Sequence, residues 1–133
     1  MILSGKIRTE MSYSANTVSF STTGNKNFAV GSSVQGYRIT LCGVPGSNEA
    51  YEHRSVGVCT STVQSCHATI QDQSNTGRSN SFTDRVINHY YLSSGVITDG
   101  VVGTHVSFNA GTGFTINLTT TSASWQFLVE IWT

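Results

Sequence analysis

Gly113-Phe114-Thr115-Ile116-Asn117-Leu118-Thr119 alternates apolar and polar side chains without a slip. Successive side chains of a strand point to opposite faces, so Phe114, Ile116 and Leu118 share one face and Thr115, Asn117 and Thr119 the other. The stretch reads as a half-buried β-strand. Thr104-His105-Val106-Ser107-Phe108 precedes it, and Trp125-Gln126-Phe127-Leu128-Val129-Glu130-Ile131-Trp132 follows, with Trp125, Phe127, Val129 and Ile131 on one face. The last run is the most hydrophobic, which predicts a central place in its sheet, because an edge or frayed position would expose it.

The same period of two extends upstream. Val18 and Phe20 alternate with polar neighbours in Asn16-Thr17-Val18-Ser19-Phe20-Ser21, and Gly24-Asn25 ends the run. Phe28-Ala29-Val30, Tyr37 to Cys42, Arg54 to Thr60, His67 to Gln71 and Arg85 to Tyr91 supply further strands, with Gly43 and Pro45-Gly46 as breaks. About eight to ten short strands separated by turn residues predict an antiparallel β-sandwich with almost no helix. The 133 residues make one domain, with 1–15 as an extended or poorly ordered lead-in. The expected core comprises Val18, Phe20, Ile39, Leu41, Val58, Ile70, Val106, Phe108, Phe114, Ile116, Leu118, Phe127 and Val129.

Charge is scarce. Net charge is zero and 11% of residues are charged, against roughly a quarter in most soluble domains. Serine and threonine, roughly a quarter of the chain, carry solubility instead. Such a surface is poorly suited to a phosphate backbone, which is gripped by clustered Lys and Arg, so a nucleic-acid partner is not expected. Weak repulsion between copies favours self-association. The opening residues lack the apolar stretch of a signal peptide and no run approaches a membrane span, which predicts synthesis in a cytoplasm.

Chemistry-bearing residues are scattered. Cys42, Cys59 and Cys66 match no zinc spacing; burial as small apolar groups is the simpler reading, with a Cys59–Cys66 bridge as the alternative. His53, His67, His89 and His105 have no second ligand at local spacing, so no metal or other cofactor is expected. Asp72-Gln73-Ser74-Asn75-Thr76-Gly77 echoes a calcium loop, but the twelfth position is Thr83, where a bidentate glutamate belongs. A polar turn explains the same residues. No Gly-x-Ser-x-Gly elbow is present, the carboxylates lie far apart, and a strand would turn Cys66 and His67 away from each other. Enzymatic activity is not expected. Asn117-Leu118-Thr119 has the glycosylation pattern inside a predicted strand and is taken as chance.

Recognition is expected elsewhere. Asp72 to Asp84 is the longest stretch without strand character, and loops beyond about 12 residues are usually functional or mobile. Asp72, Asn75, Arg78, Asp84 and Arg85 from this region, with Tyr51 from a glycine-bounded loop, are the candidate ligand-binding residues. Trp125 and Trp132 fall on opposite faces of the last strand, so one belongs to the core and the other faces a partner, a neighbouring subunit or a sugar. Glu130 falls on that same solvent or interface face.

Gly36-Tyr37-Arg38-Ile39-Thr40-Leu41, Ser55-Val56-Gly57-Val58, Asn75-Thr76-Gly77-Arg78-Ser79 and Val106-Ser107-Phe108-Asn109, followed by Gly113 to Thr119, come in an order that resembles small all-β domains of bacteriophage and prophage tail or virion proteins. The closing pattern is also similar to H-type lectin domains. The resemblance covers about Asn16 onward; the cysteines, the Cys59 to His67 segment and the terminal Trp-Thr depart from it. It implies a jelly-roll or H-type-lectin-like sandwich, a virion location, and a homo-oligomer with a trimer favoured. Its implied partners are other virion proteins or a host-surface glycan.

Overall fold

A computed structural model of the chain describes residues 12–43, 53–71, 77–93 and 96–133. Ten strands run in order: β1 (Tyr13–Phe20), β2 (Gly24–Ala29), β3 (Gly36–Gly43), β4 (His53–Thr60), β5 (Gln64–Gln71), β6 (Gly77–Phe82), β7 (Ile87–Ser93), β8 (Val96–Asn109), β9 (Gly113–Thr120) and β10 (Ser122–Trp132). No helix occurs among the described residues. One sheet has six strands in the order β1-β10-β3-β4-β5-β6, and the other has four in the order β2-β9-β8-β7. Every pairing is antiparallel. The sheets pack as a β-sandwich, as the alternation predicts. β10 lies inside its sheet between β1 and β3, where its hydrophobicity places it.

The core forms where the inward rows meet. Phe28 stacks on Phe114 at 4.7 Å, and Phe114 on Tyr37 of the opposite sheet at 3.9 Å. Phe20 packs against Phe28 and Phe127, while Trp125 lies 3.7 Å from the His89 ring. Of the expected core, Phe20, Ile39, Phe114, Ile116, Leu118, Phe127 and Val129 are buried, and Val18, Leu41 and Phe108 pack against them half-buried. The Ile70 side chain lies outside the described set. Tyr37, Val86, Ile87, Val101, Trp125 and Ile131 join the core as well.

Two core assignments are overturned. Val106 is 49% exposed, because the β8–β9 register shifts between His105 and Ser107. The extra residue sends Val106 outward and lets His105 and Phe108 face inward opposite Ile116 and Phe114. Val58 shares the outward face of β4 with the exposed Val56, and the inward row is Ser55, Gly57 and Cys59. That row is small for a reason. A Cβ on Gly57 would sit 1.7 Å from the Val86 carbonyl oxygen, so the chain entering β7 rests directly on the β4 backbone.

A third correction concerns the stretch from Asp72 to Asp84. Gly77 to Phe82 is the strand β6, paired with β5 from Cys66–Phe82 to Gln71–Gly77. Its polar residues hide it, since Arg78, Ser79, Asn80 and Ser81 offer no apolar alternation. Pairing of Gly77 to Phe82 also removes the second half of the calcium-loop pattern. No helix among the described residues is long and apolar enough to cross a membrane.

Candidate functional site

Strand register decides which side chains share the outer face of the six-stranded sheet. One row runs Tyr13, Trp132, Gly36; the next runs Ala15, Glu130, Arg38, Val58; a third runs Thr17, Leu128, Thr40, Val56, His67, Ser81. Arg38 and Glu130 are direct cross-strand neighbours, the pairing that lets opposite charges meet. Arg38 Nε lies 2.5 Å from Glu130 Oε2 and Nη2 lies 2.7 Å from Oε1, a bidentate fork. The Tyr13 hydroxyl donates to Oε1 at 2.7 Å. The Tyr13 and Trp132 rings are 6.5 Å apart and tilted, and the Trp132 ring lies beside Gly36, which has no side chain to displace it.

The electrostatics follow from these contacts. The Arg38 guanidinium, and after it the Tyr13 hydroxyl, hold the Glu130 carboxyl below its ordinary range. The same carboxylate raises the Arg38 guanidinium and the Tyr13 phenol. Glu130 is on the outward face, as its position in β10 predicts, yet it is 6% exposed because Arg38 and Tyr13 cover it. The result is an aromatic pair beside a self-neutralised ion pair, near the β1 margin of the sheet. Trp125 faces the core and Trp132 the outer side, the division expected from their spacing.

Of the six residues expected to bind ligand, Tyr51, Asp72 and Asn75 lie outside the described residues. Arg78 sits in β6 opposite Ile70, in a strand and not a loop. Asp84 and Arg85 come together in the crossing from β6 to β7. Arg85 Nε and Nη2 each lie 2.9 Å from an Asp84 oxygen, Nη1 donates to Asn88 Oδ1 at 2.8 Å, and the guanidinium lies 4.3 Å from the Phe82 ring centre. Arg85 holds the Asp84 carboxyl below its ordinary range. These contacts tie β6 to β7 where the chain changes sheets. The Asp84 carboxylate is 66% exposed and faces solvent.

The cysteines are free, Cys42 exposed and Cys59 and Cys66 buried, so no Cys59–Cys66 bridge forms. Burial raises both inner thiols, which favours the unreactive protonated form. Cys66 faces inward while His67 is exposed, so they form no dyad. Among the described residues no group of three or more His, Cys, Asp and Glu is placed to hold a metal ion.

Tyr13 and Arg38 were not marked by the sequence. Tyr13 sits in no motif and Arg38 only in the strand stretch Gly36 to Leu41, and the pairing of β1 and β3 on the two sides of β10 is what brings them to Glu130. No family model, curated protein or solved structure matches this chain.

Proposed function

We propose that this domain is a non-enzymatic assembly or adhesion module of the phage virion or tail type, working as a homo-oligomer through the outer face of its six-stranded sheet. The observation that carries the reading is the composition of that face. Tyr13, Leu128, Trp132, Val56 and Val58 lie across it, and its described charged residues are Arg38, Glu130 and Arg54, of which the first two neutralise each other. Tyr, Trp and Arg are the residues that dominate binding energy at protein interfaces. Six strands about 4.8 Å apart make a face on the order of 500 Å² per copy, or about 1,000 Å² for a pair, where specific interfaces begin. β1 adds to this: it is the margin of its sheet among the described residues and carries neither charge nor proline, the usual blocks to strand addition. The trimer and the virion location rest on the family resemblance.

Light scattering at micromolar concentration tests the proposal. The wild type is expected as an oligomer and Val56→Glu as a monomer that keeps its fold, since Val56 is 39% exposed. A monomeric wild type overturns the reading. The second reading is carbohydrate binding, which the Tyr13–Trp132 pair favours because aromatic rings beside polar groups suit sugar stacking. A glycan screen with Trp132→Ala as control separates the two: specific binding lost in that variant assigns the face to a glycan.

A further inference from the structure

We infer that β8 is a two-register strand, in which protonation of His105 slides Gly103, Thr104 and His105 by one residue against β9, turns the imidazole outward and draws Val106 into the core. The device does not depend on the assembly reading. It rests on paired irregularities in the β8–β9 ladder. Val102 faces Thr120, and Ser107, Phe108 and Asn109 face Thr115, Phe114 and Gly113, which is one continuous register. Between them Gly103, Thr104 and His105 face Leu118, Asn117 and Ile116, one residue out of step. Thr119 is the spare residue at one end and Val106 at the other, so the two bulges cancel. Continuing the flanking register through the segment would erase both. It would set Val106 opposite Ile116 in the core and His105 opposite Asn117 on the outer face.

Each register has something the other lacks, as a bistable element needs. In the observed one Gly103 is buried, where a Cβ would lie 2.9 Å from Leu118 Cδ2 and 3.3 Å from Ile87 Cδ1. The His105 backbone N–H donates to Gln64 Oε1 at 2.7 Å, and its Nδ1 shares a hydrogen bond with the Tyr37 hydroxyl at 3.0 Å. Against these stand an imidazole drawn partly out of water and a Val106 side chain left 49% exposed. In the flanking register Val106 is covered and His105 solvated, while Thr104 crowds the place of Gly103. The slide is short. β7 pairs with β8 as far as Gly103, so among the described residues the ladder partner of Thr104 to Asn109 is β9 alone. A glycine at the hinge turns without carrying a side chain through the ladder.

The proton decides between the two. Among the described residues, the titratable groups facing the ring are Tyr37 of β3 and, in hydrogen-bonding contact with that phenol, Cys59 of β4. Lys26 of β2 stands in the same row beyond Ile116, with its ammonium donating to Thr22 and Thr23. Gln64, Ile116 and Phe108 complete the surroundings and are neutral. No described carboxylate offsets an imidazolium there, and burial lowers the proton affinity of His105. Turned outward beside Asn117, the ring regains water and its ordinary affinity. Acidification below about 6.5 therefore pulls the strand to the second register. Tyr37 keeps the Cys59 thiol as a partner when the ring leaves.

The test is NMR of the full chain between about pH 8 and about pH 5, the range in which histidine ordinarily titrates. At the upper end, cross-strand contacts should join His105 to Ile116. Toward the lower end a second set of signals should appear for 103–106 and 116–119, joining Val106 to Ile116 and His105 to Asn117. One proton is linked, so the ratio of the two sets should change by up to about tenfold per pH unit below about 6.5. Val106→Asn makes the inward position costly and should suppress the second set; the site is exposed, so the fold survives. Gln64→Ala removes a tie to the observed register and should raise the second set at each pH. A single register across the whole range, global unfolding without the second set, or a second set that neither variant moves overturns the inference.

Discussion

Glu130 shows how a single carboxylate becomes a pH-dependent brace. Its folded-state proton affinity is depressed, first by Arg38 and then by Tyr13, so the folded chain keeps it ionised where the unfolded chain does not. The stability it contributes is present above the ordinary glutamate range, about 4.3, and is lost as pH falls through the lower folded value. His105 acts in the same direction by a different cause. Burial lowers its proton affinity, and its Nδ1 lies 3.0 Å from the Tyr37 hydroxyl, whose own ionisation is pushed far up, mainly by burial. The phenol thus stays protonated and shares a hydrogen bond with a neutral imidazole, in the direction set by the ring tautomer. Stability from this pair is complete above about 6.5 and declines below it as the unfolded chain takes the proton. Denaturant melts across pH should show both declines, with His105→Gln lacking the upper one. Arg38→Ala should lower stability at neutral pH by about 1 kcal/mol, as for a well-formed but half-exposed ion pair. A flat profile between pH 8 and 5 in the wild type would remove His105 from this account.

At the scale of the strand, alternation gives the faces of β9 correctly, fails at the bulge in β8, and picks the wrong row in β4, where the ladders are regular but the inward positions are small. Phe114, Ile116 and Leu118 are buried as their spacing predicts. Val106 follows the same spacing and is exposed, because the bulge beside it depends on the partner strand and leaves no local mark. β6 carries no signal of this kind, because a polar edge strand has no hydrophobic period to read. The candidate patch was half legible: Glu130 and Trp132 were placed on the right face, but their partners on β1 and β3 are distant in sequence. Two substitutions check this reading. Val106→Thr should change stability by less than about 0.5 kcal/mol, as for a surface site. Gly57→Ala adds one methyl yet should cost about 1–3 kcal/mol or more, because the group it meets is the Val86 backbone carbonyl and not a movable side chain. Chemical denaturation of both variants measures the contrast. Near-equal values would mean that β4 and the approach to β7 separate easily.

The whole molecule is organised around pairings between distant parts of the chain. β1 pairs with β10 from Tyr13–Trp132 onward, and beyond it Ser12 and Thr133 exchange backbone hydrogen bonds at 3.2 and 3.1 Å. β10 also pairs with β3, so among the described residues β1 joins its sheet through β10. Sheets built from such non-local pairs fold in milliseconds to seconds, slower than helical bundles of similar stability. During synthesis the chain emerges N-terminus first, at about 5–20 residues per second. For most of that time β1 lacks its partner β10, and β3 presents a bare edge on the side that β10 will fill. The nascent domain is thus a sheet with a missing slat, open to strands from other chains. A chain stopped after Thr121 should sediment as aggregate or bind chaperones, and supplying residues 122–133 as a peptide should restore soluble protein. The insertion of β10 is then the event that turns an adhesive translation product into a finished domain, and its timing sets how crowded with sister chains a ribosome can be before they tangle.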